Sequence, residues 1–323
     1  MLLDRVDKKI LFELEKDSSV PISALARKVK KSRETVIYRI NRLKEQDILR
    51  SCTAIVDMSK LGYLTFRIYI RWQNMTLAVK EEFYEMIGRN QNVWTTTELH
   101  GKWDFAFFLG MKRDEYIEKF HKVWNKILKE YKPVIANYKI AIYAPIHNFN
   151  KRFFFDDDAA AAQVISRVSG EGSVIDYDET DEKLVVAYSP DVRASLAKIA
   201  QAVGVSIETV RRRIQELEKK KVIVGYKIDL NLAKLGYQGY RVDFALNSLE
   251  RNSELFEYLK EHKYFYQINK SIGGADFETE IVVRDLHHLL EILEEVMTRF
   301  KGVVKSYEYM GYSDFPKLSI VPD

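Results

Sequence analysis

Residues 32–45 place apolar and polar chemistry on opposite sides of one helical period. Val36, Ile40 and Leu43 recur at i, i+4 and i+7, the spacing of a buried stripe. Arg33, Ile37, Tyr38, Asn41 and Arg42 fall on the other side. Ser32 stands where such a helix would begin, with Thr35 in its first turn; a serine hydroxyl there accepts from the amides two and three residues on. A helix has the diameter to enter the major groove of double-stranded DNA, where its N-terminal residues meet base edges. Guanidinium groups suit guanine edges or phosphates. The plain alternative is a trihelical module that only packs against a partner.

The flanking segments supply what such a helix needs. Val6, Ile10, Leu11 and Leu14 give 5–16 a helical period, and Leu25, Ala26 and Val29 mark a short second helix at 23–29. Residues 48–56 are extended and read as a wing. Helix, short helix, turn, capped helix and hairpin make a winged helix-turn-helix.

The whole arrangement recurs at an offset of 174 residues. Asp7, Lys9 and Asp17 return as Asp181, Lys183 and Asp191, and Arg39 as Arg213. The run at 60–63, Lys-Leu-Gly-Tyr, returns whole at 234–237. The second capped helix begins at Ser206 and Thr209, buries Val210, Ile214 and Leu217, and exposes Ile207, Arg211, Arg212 and Gln215 before a lysine run at 219–221. Buried positions are kept and exposed ones are changed. Arg33 is answered by Ile207, Tyr38 by Arg212, Asn41 by Gln215 and Arg42 by Glu216.

After each helical module comes a second pattern. Residues 65–73 alternate as a strand, 78–87 is an amphipathic helix, 93–99 and 105–109 are strands about a turn, 114–131 is a helix and 134–143 a strand. The order βαββαβ is the ferredoxin-like split motif, and 239–312 repeats it with helices near 253–261 and 286–300. Such a sheet carries helices on one face, so two of them facing one another would cover both bare faces. The fold class is therefore α+β, a tandem repeat of winged helix-turn-helix and ferredoxin-like (RAM-type) domain. The expected division is 1–60, 61–150, a linker at 151–180 with one short helix near 159–168, then 181–235 and 236–323.

Charge is unevenly spread. The chain has 323 residues and a net charge of +4, but residues 1–150 carry +9 and the remainder −5. A clustered basic excess is the footprint of nucleic-acid binding. The single cysteine, Cys52, precludes a disulfide within the chain. There is no Cys/His zinc pattern, no apolar run long enough for a membrane span and no signal-peptide start. A cytoplasmic protein is expected, with no metal, no cofactor and no catalytic residue.

In ensemble these residues resemble the Lrp/AsnC, or feast/famine, regulators of prokaryotes. The carriers are Asp4, Asp7, Ile10, Leu11, Leu14, Leu25, Ala26, Val29, Ser32, Arg39, Ile40, Leu43 and Ile48, then the Leu61-Gly62-Tyr63 run. The turn Gly101-Lys102-Trp103-Asp104 resembles the family's glycine–x–aromatic–aspartate turn, and Gly273-Gly274-Ala275-Asp276 repeats it without the aromatic. The resemblance implies DNA binding through Ser32, Arg33, Thr35, Ile37, Tyr38, Asn41 and Arg42, and through Ser206, Thr209, Arg211, Arg212 and Gln215. It also implies an amino-acid effector at Gly101, Lys102, Trp103, Asp104, Gly273, Gly274 and Asp276, and association as a homodimer. The favoured reading of the turns is structural, with glycine supplying a hairpin's positive φ. The chain departs from the family in carrying two diverged units, which implies a covalent pseudo-dimer and unlike half-sites.

Two other functions fit the same pattern. Sirohaem decarboxylases resemble this family in fold, but need His with Arg or Tyr along a tetrapyrrole cleft. His100, His121, His147, His262, His287 and His288 form no such motif, and none repeats between the copies. The remaining alternative is a regulator that works by protein contact.

Overall fold

A computed structural model describes residues 3–154, 163–170 and 172–312 and the backbone of Lys317–Leu318. Helix α1 (Arg5–Lys16) opens on a capping box. Asp4 accepts from the amides of Val6 and Asp7 at 2.8 Å each, and Asp7 accepts from the Asp4 amide at 3.4 Å. Helix α2 (Ile22–Val29) stops at Lys30, whose φ of 54° ends the helix in the left-handed region. Helix α3 (Arg33–Glu45) starts at Ser32, which accepts from the Thr35 amide at 3.1 Å. Strand β1 (Leu49–Val56) and a 3-10 turn at Met58–Leu61 lead into the first α/β domain. That domain comprises β2 (Tyr63–Trp72), α4 (Leu77–Gly88), β3 (Val93–His100), β4 (Phe105–Lys112), α5 (Tyr116–Tyr131) and β5 (Ile135–Phe149).

The linker carries β6 (Ser166–Ser169). The second copy follows as α6 (Glu179–Tyr188), α7 (Leu196–Val203), α8 (Ile207–Lys219) and β7 (Ile223–Leu230). Its α/β domain has β8 (Gln238–Leu246), α9 (Asn252–Glu261), β9 (Phe265–Ile272), β10 (Phe277–Val283), α10 (Leu286–Arg299) and β11 (Val304–Tyr312), and a short β12 (Lys317–Leu318) ends the description. The repeat extends to the caps: Asp178 and Asp181 rebuild on α6 the capping box of Asp4 and Asp7.

Two expectations need correction. The wing is not a hairpin of its own copy. After β1 the chain turns straight into β2, so nothing returns alongside it. The open edge of β1 is satisfied instead by β7 of the other copy, from Leu49 opposite Leu230 to Val56 opposite Ile223. One core then runs through both helical modules, joining Ile10, Leu14, Leu25, Val36 and Leu43 to Leu184, Val185, Ile199, Val210 and Leu217. The second correction concerns the linker helix expected at 159–168. Residues 159–162 lie outside the described residues, and 166–168 belong to β6, which pairs with the end of β5 from Ile146 opposite Ser169 to Phe149 opposite Ser166. A free strand edge outcompetes a short isolated helix.

The two α/β sheets face one another and also join at both edges. Strand β5 pairs with β9, and β11 with β3, so the order β11-β8-β10-β9-β5-β2-β4-β3 closes on itself. Helices lie outside the ring. Phe66, Ile68 and Ile70 of β2 meet Phe83, Ile87, Trp124 and Ile127 of α4 and α5. Val242 and Phe244 of β8 meet Leu255, Leu259, Leu289, Leu293 and Val296 of α9 and α10. The alternate residues of these strands face inward. They are Arg67, Tyr69, Arg241 and Asp243, and all four are buried. The alternation legible in 65–73 thus separates two buried faces, not a buried face from a wet one.

Candidate nucleic-acid interface

Both capped helices expose the residues singled out by their spacing. On α3, Ser32, Arg33, Ile37, Tyr38 and Asn41 are exposed and Thr35 is half-buried; Tyr38 keeps 65% of its surface open. On α8, Ser206, Ile207, Arg211, Arg212 and Gln215 are exposed and Thr209 is half-buried. The Ser206 hydroxyl accepts from the Thr209 amide at 3.1 Å, as Ser32 does from Thr35. Val36, Ile40 and Leu43, and likewise Val210, Ile214 and Leu217, are buried.

Charge separates the two faces. Between α2 and α3 lies an open basic groove lined by Ser23, Arg27, Lys30, Lys31, Ser32 and Arg33. Spacing rules passed over Arg27, Lys30 and Lys31; the dense basic run at 27–33 was the available signal. On α8 the two exposed arginines, Arg211 and Arg212, each have a partner on their own helix. Arg211 Nη1 lies 2.9 Å from Glu208 Oε2, and Arg212 Nη1 lies 2.7 Å from Glu216 Oε1. These exposed pairs add little stability, but each sets a carboxylate beside a guanidinium that the helix presents. Lys220 donates to the Asp176 carbonyl at 2.8 Å.

Arg42 is placed differently from its neighbours. Its Nη2 lies 2.5 Å from Asp7 Oδ2, and Arg39 Nη1 lies 2.6 Å from Asp4 Oδ2 and 2.9 Å from Asp7 Oδ1. Burial works to raise the Asp4 carboxyl, but Arg39 and the capped amides hold it down at about 2. Arg213 makes the same bonds to Asp178 and Asp181. The repeated Asp and Arg letters therefore clamp the first helix of each module to its third.

The turns at 101–104 and 273–276 are bound within the fold. Asp104 accepts from the Trp72 amide at 2.8 Å and from Arg71 at 2.9 Å, and Arg71 also donates to the Gly101 carbonyl at 2.8 Å. Trp103 is buried, its ring 5.8 Å from that of Tyr69, and Lys102 pairs with Glu308 at 2.7 Å. Asp276 accepts from the Leu246 amide at 2.8 Å, and Glu278 accepts from the Ala275 amide at 3.1 Å. Gly273 has φ +83°, and a Cβ there would fall 2.9 Å from the Ile140 carbonyl. At Gly101 a Cβ would lie 2.9 Å from the Tyr309 carbonyl. Each turn thus packs on the last strand of the other copy.

Inside the ring lies a charged cluster that the sequence did not reveal. Arg241 reaches Asp243 at 2.9 Å and Glu278 at 2.5 Å, close in distance but without hydrogen-bond alignment. Arg67 donates to the Tyr143 hydroxyl at 2.5 Å. Burial works to raise the Glu278 carboxyl, yet Arg241 and Arg67 hold it down at about 2. Burial pushes Asp243 up against the pull of Arg241, and the Glu278 charge adds to that push. Among the described residues no group of three His, Cys, Asp or Glu is placed to hold a metal ion, and no helix is long and apolar enough to cross a membrane.

Comparison with known proteins matches this geometry. The model of the AsnC-type helix-turn-helix domain matches residues 3–44 and again 178–218. The HTH-type transcriptional regulator LrpA of Pyrococcus horikoshii is 32% identical over 128 residues, covering 40% of this chain and 91% of that protein. LrpA1 of Halobacterium salinarum is 28% identical over 130 residues, covering 40% and 92%. The siroheme decarboxylase NirDL shares the fold over 98% of this chain and 94% of its own, with a TM-score of 0.64 at 14% identity. Two helix-turn-helix matches, each followed by a ferredoxin-like sheet, reproduce the duplication visible in the sequence. The chain belongs to the Lrp/AsnC family of DNA-binding transcription regulators, with the family's two-part unit present twice.

Proposed function

We propose that this chain is a sequence-specific regulator in which one polypeptide acts as a covalent pseudo-dimer with two unlike reading heads. The observation that carries this reading is the contrast on α3 and α8. Their buried positions are the same residues, while their exposed positions differ in type and in charge pairing. Arg33, Ile37, Tyr38 and Asn41 are assigned to base edges, and Ser32, Thr35, Arg27, Lys30 and Lys31 to phosphates. Arg42 is assigned to the Asp7 clamp first and to DNA second. In the other head Arg211, Arg212 and Gln215 face the groove, with Ser206 and Thr209 at the helix start. The working division is 1–60, 61–150, 151–180, 181–235 and 236–323.

An amino-acid effector at Gly101, Lys102, Trp103, Asp104, Gly273, Gly274 and Asp276 gains no support from the turns, whose polar groups serve intrachain contacts. The tetrapyrrole alternative rests on shared architecture, and here Tyr69, Trp103, Tyr143 and Met310 are buried between the sheets. Footprinting on a mapped genomic site tests the main reading. Two unlike protected half-sites per chain are expected. Identical inverted half-sites under one chain would refute it.

A further inference from the structure

We infer that the charges buried between the two α/β domains form a pairing code, which accepts the unlike domain as partner and rejects a like one. The inference is independent of DNA binding and rests on how corresponding strands differ. On the first sheet Arg67 stands opposite Phe108 and Tyr69 opposite Ala106. On the second, at the same register, Arg241 stands opposite Glu280 and Asp243 opposite Glu278. Arginine is common to both copies. The three carboxylates belong to the second alone.

These groups meet across the interface. The Arg241 guanidinium lies 5.5 Å from the Tyr69 ring centroid and 5.9 Å from that of Tyr143. Arg67 and Arg241 repel one another, and Glu278 answers both. Arg67, Arg241, Asp243 and Glu278 are all more than nine-tenths buried, so a net charge here is poorly screened by solvent. Glu280 is held by the Tyr266 hydroxyl at 2.6 Å.

The three possible pairings differ sharply. Two first domains would bury two arginines and no carboxylate at these positions. Two second domains would bury two arginines against four carboxylates, Asp243 and Glu278 from each, with Glu280 of each half-buried beside them. The unlike pair sets two buried arginines against two buried carboxylates, with Glu280 half-buried at the edge. Repulsion against the wrong partner is the usual device of specificity. The inner face of the first domain therefore fits the second domain of its own chain and excludes a family-style symmetric pair. Any association between whole chains must then use a different face.

A protease site introduced between Phe154 and Gln163 of the full chain allows the test. The chain is cleaved, mixed with a mass-labelled cleaved chain, carried through denaturant and back, and read by native mass spectrometry. Only pairs of one first half with one second half are expected. Like pairs at comparable abundance would overturn the code. In the same protocol Asp243→Tyr, Glu278→Ala and Glu280→Phe, combined, should bring out pairs of second halves; their continued absence would show that other contacts choose the partner. Should cleaved halves fail to refold, the intact chain decides. Arg67→Met and Glu280→Gln together should lower the melting temperature by less than their separate losses added, and strict additivity would count against the code.

Discussion

The Arg42 guanidinium lies 2.5 Å from the buried carboxylate of Asp7, so one residue of the reading helix holds that helix to α1. Arg33, nine residues earlier, is exposed at the edge of the basic groove. The two arginines should separate by measurement. Arg33→Ala should weaken DNA binding by about 1–3 kcal/mol and flatten its salt dependence while leaving the melting temperature alone. Arg42→Ala should cost roughly 1–3 kcal/mol of stability through the lost charged hydrogen bond. Equal effects of both on affinity, with neither altering stability, would contradict the placement of Arg42.

The second head should respond to losing its acids. Glu208→Gln and Glu216→Gln release Arg211 and Arg212 from their intrahelical partners. Affinity in a gel-shift titration should rise several-fold, with a steeper dependence on salt. No change would mean that α8 does not approach DNA.

Stability should fall in mild acid. His262 is packed between the rings of Tyr258, Tyr264 and Phe265. Burial pulls its pKa down from 6.5 to about 4, with Glu295 opposing and Arg152, His288 and Lys263 assisting. Between those values the unfolded chain binds more protons than the folded one, so stability rises with pH. The contribution is complete above about 6.5 and is lost towards 4, amounting to roughly 3 kcal/mol. Denaturant melts across that range should show the slope, and His262→Gln should reduce it. An identical slope in the variant would place the effect elsewhere.

Gly110 marks a point where space is exhausted. A Cβ there would fall 1.7 Å from Cζ2 of the buried Trp94. Gly110→Ala should destabilise by about 1–3 kcal/mol through overpacking, and paired with Trp94→Phe it should recover part of the loss. A chemical melt unchanged by Gly110→Ala would show that the indole yields freely.

The occupied turns carry their own prediction. Natural amino acids should leave the thermal midpoint unmoved, because Asp104 and Asp276 already accept from Trp72 and Leu246. A reproducible, saturable rise with one amino acid would identify an effector by mass action.

Much of this fold is local, and local features are legible in sequence. The periods of 5–16 and 32–45, the serine caps and the βαββαβ order all follow from neighbours a few residues apart. What escaped depends on partners far along the chain. The extended character of 49–56 is readable, but nothing in those letters names 223–230 as its partner. Arg67 and Tyr69 read as the polar face of a strand, and only a second sheet turns that face into an interior. The repeat of Asp7 and Arg39 as Asp181 and Arg213 was visible as letters, yet its meaning as a helix clamp needed the distances. The pairing of Arg42 with Asp7 was hidden for the same reason, since helical spacing places a side chain on a face without showing what reaches it from another helix.

Under the proposed two-headed reading, the strand pair β1–β7 makes the two helical modules a ruler of fixed length. In a regulator whose heads hang on flexible arms, half-sites can drift apart and still be served. Here backbone hydrogen bonds and a shared core join the two modules directly. On that reading half-site phasing should be part of what is recognised. Adding about five base pairs turns one half-site to the opposite side of a duplex of roughly 10 base pairs per turn, and binding by one chain should collapse to that of a single head. Restoring a full turn restores the facing but not the reach, so the affinity should not return.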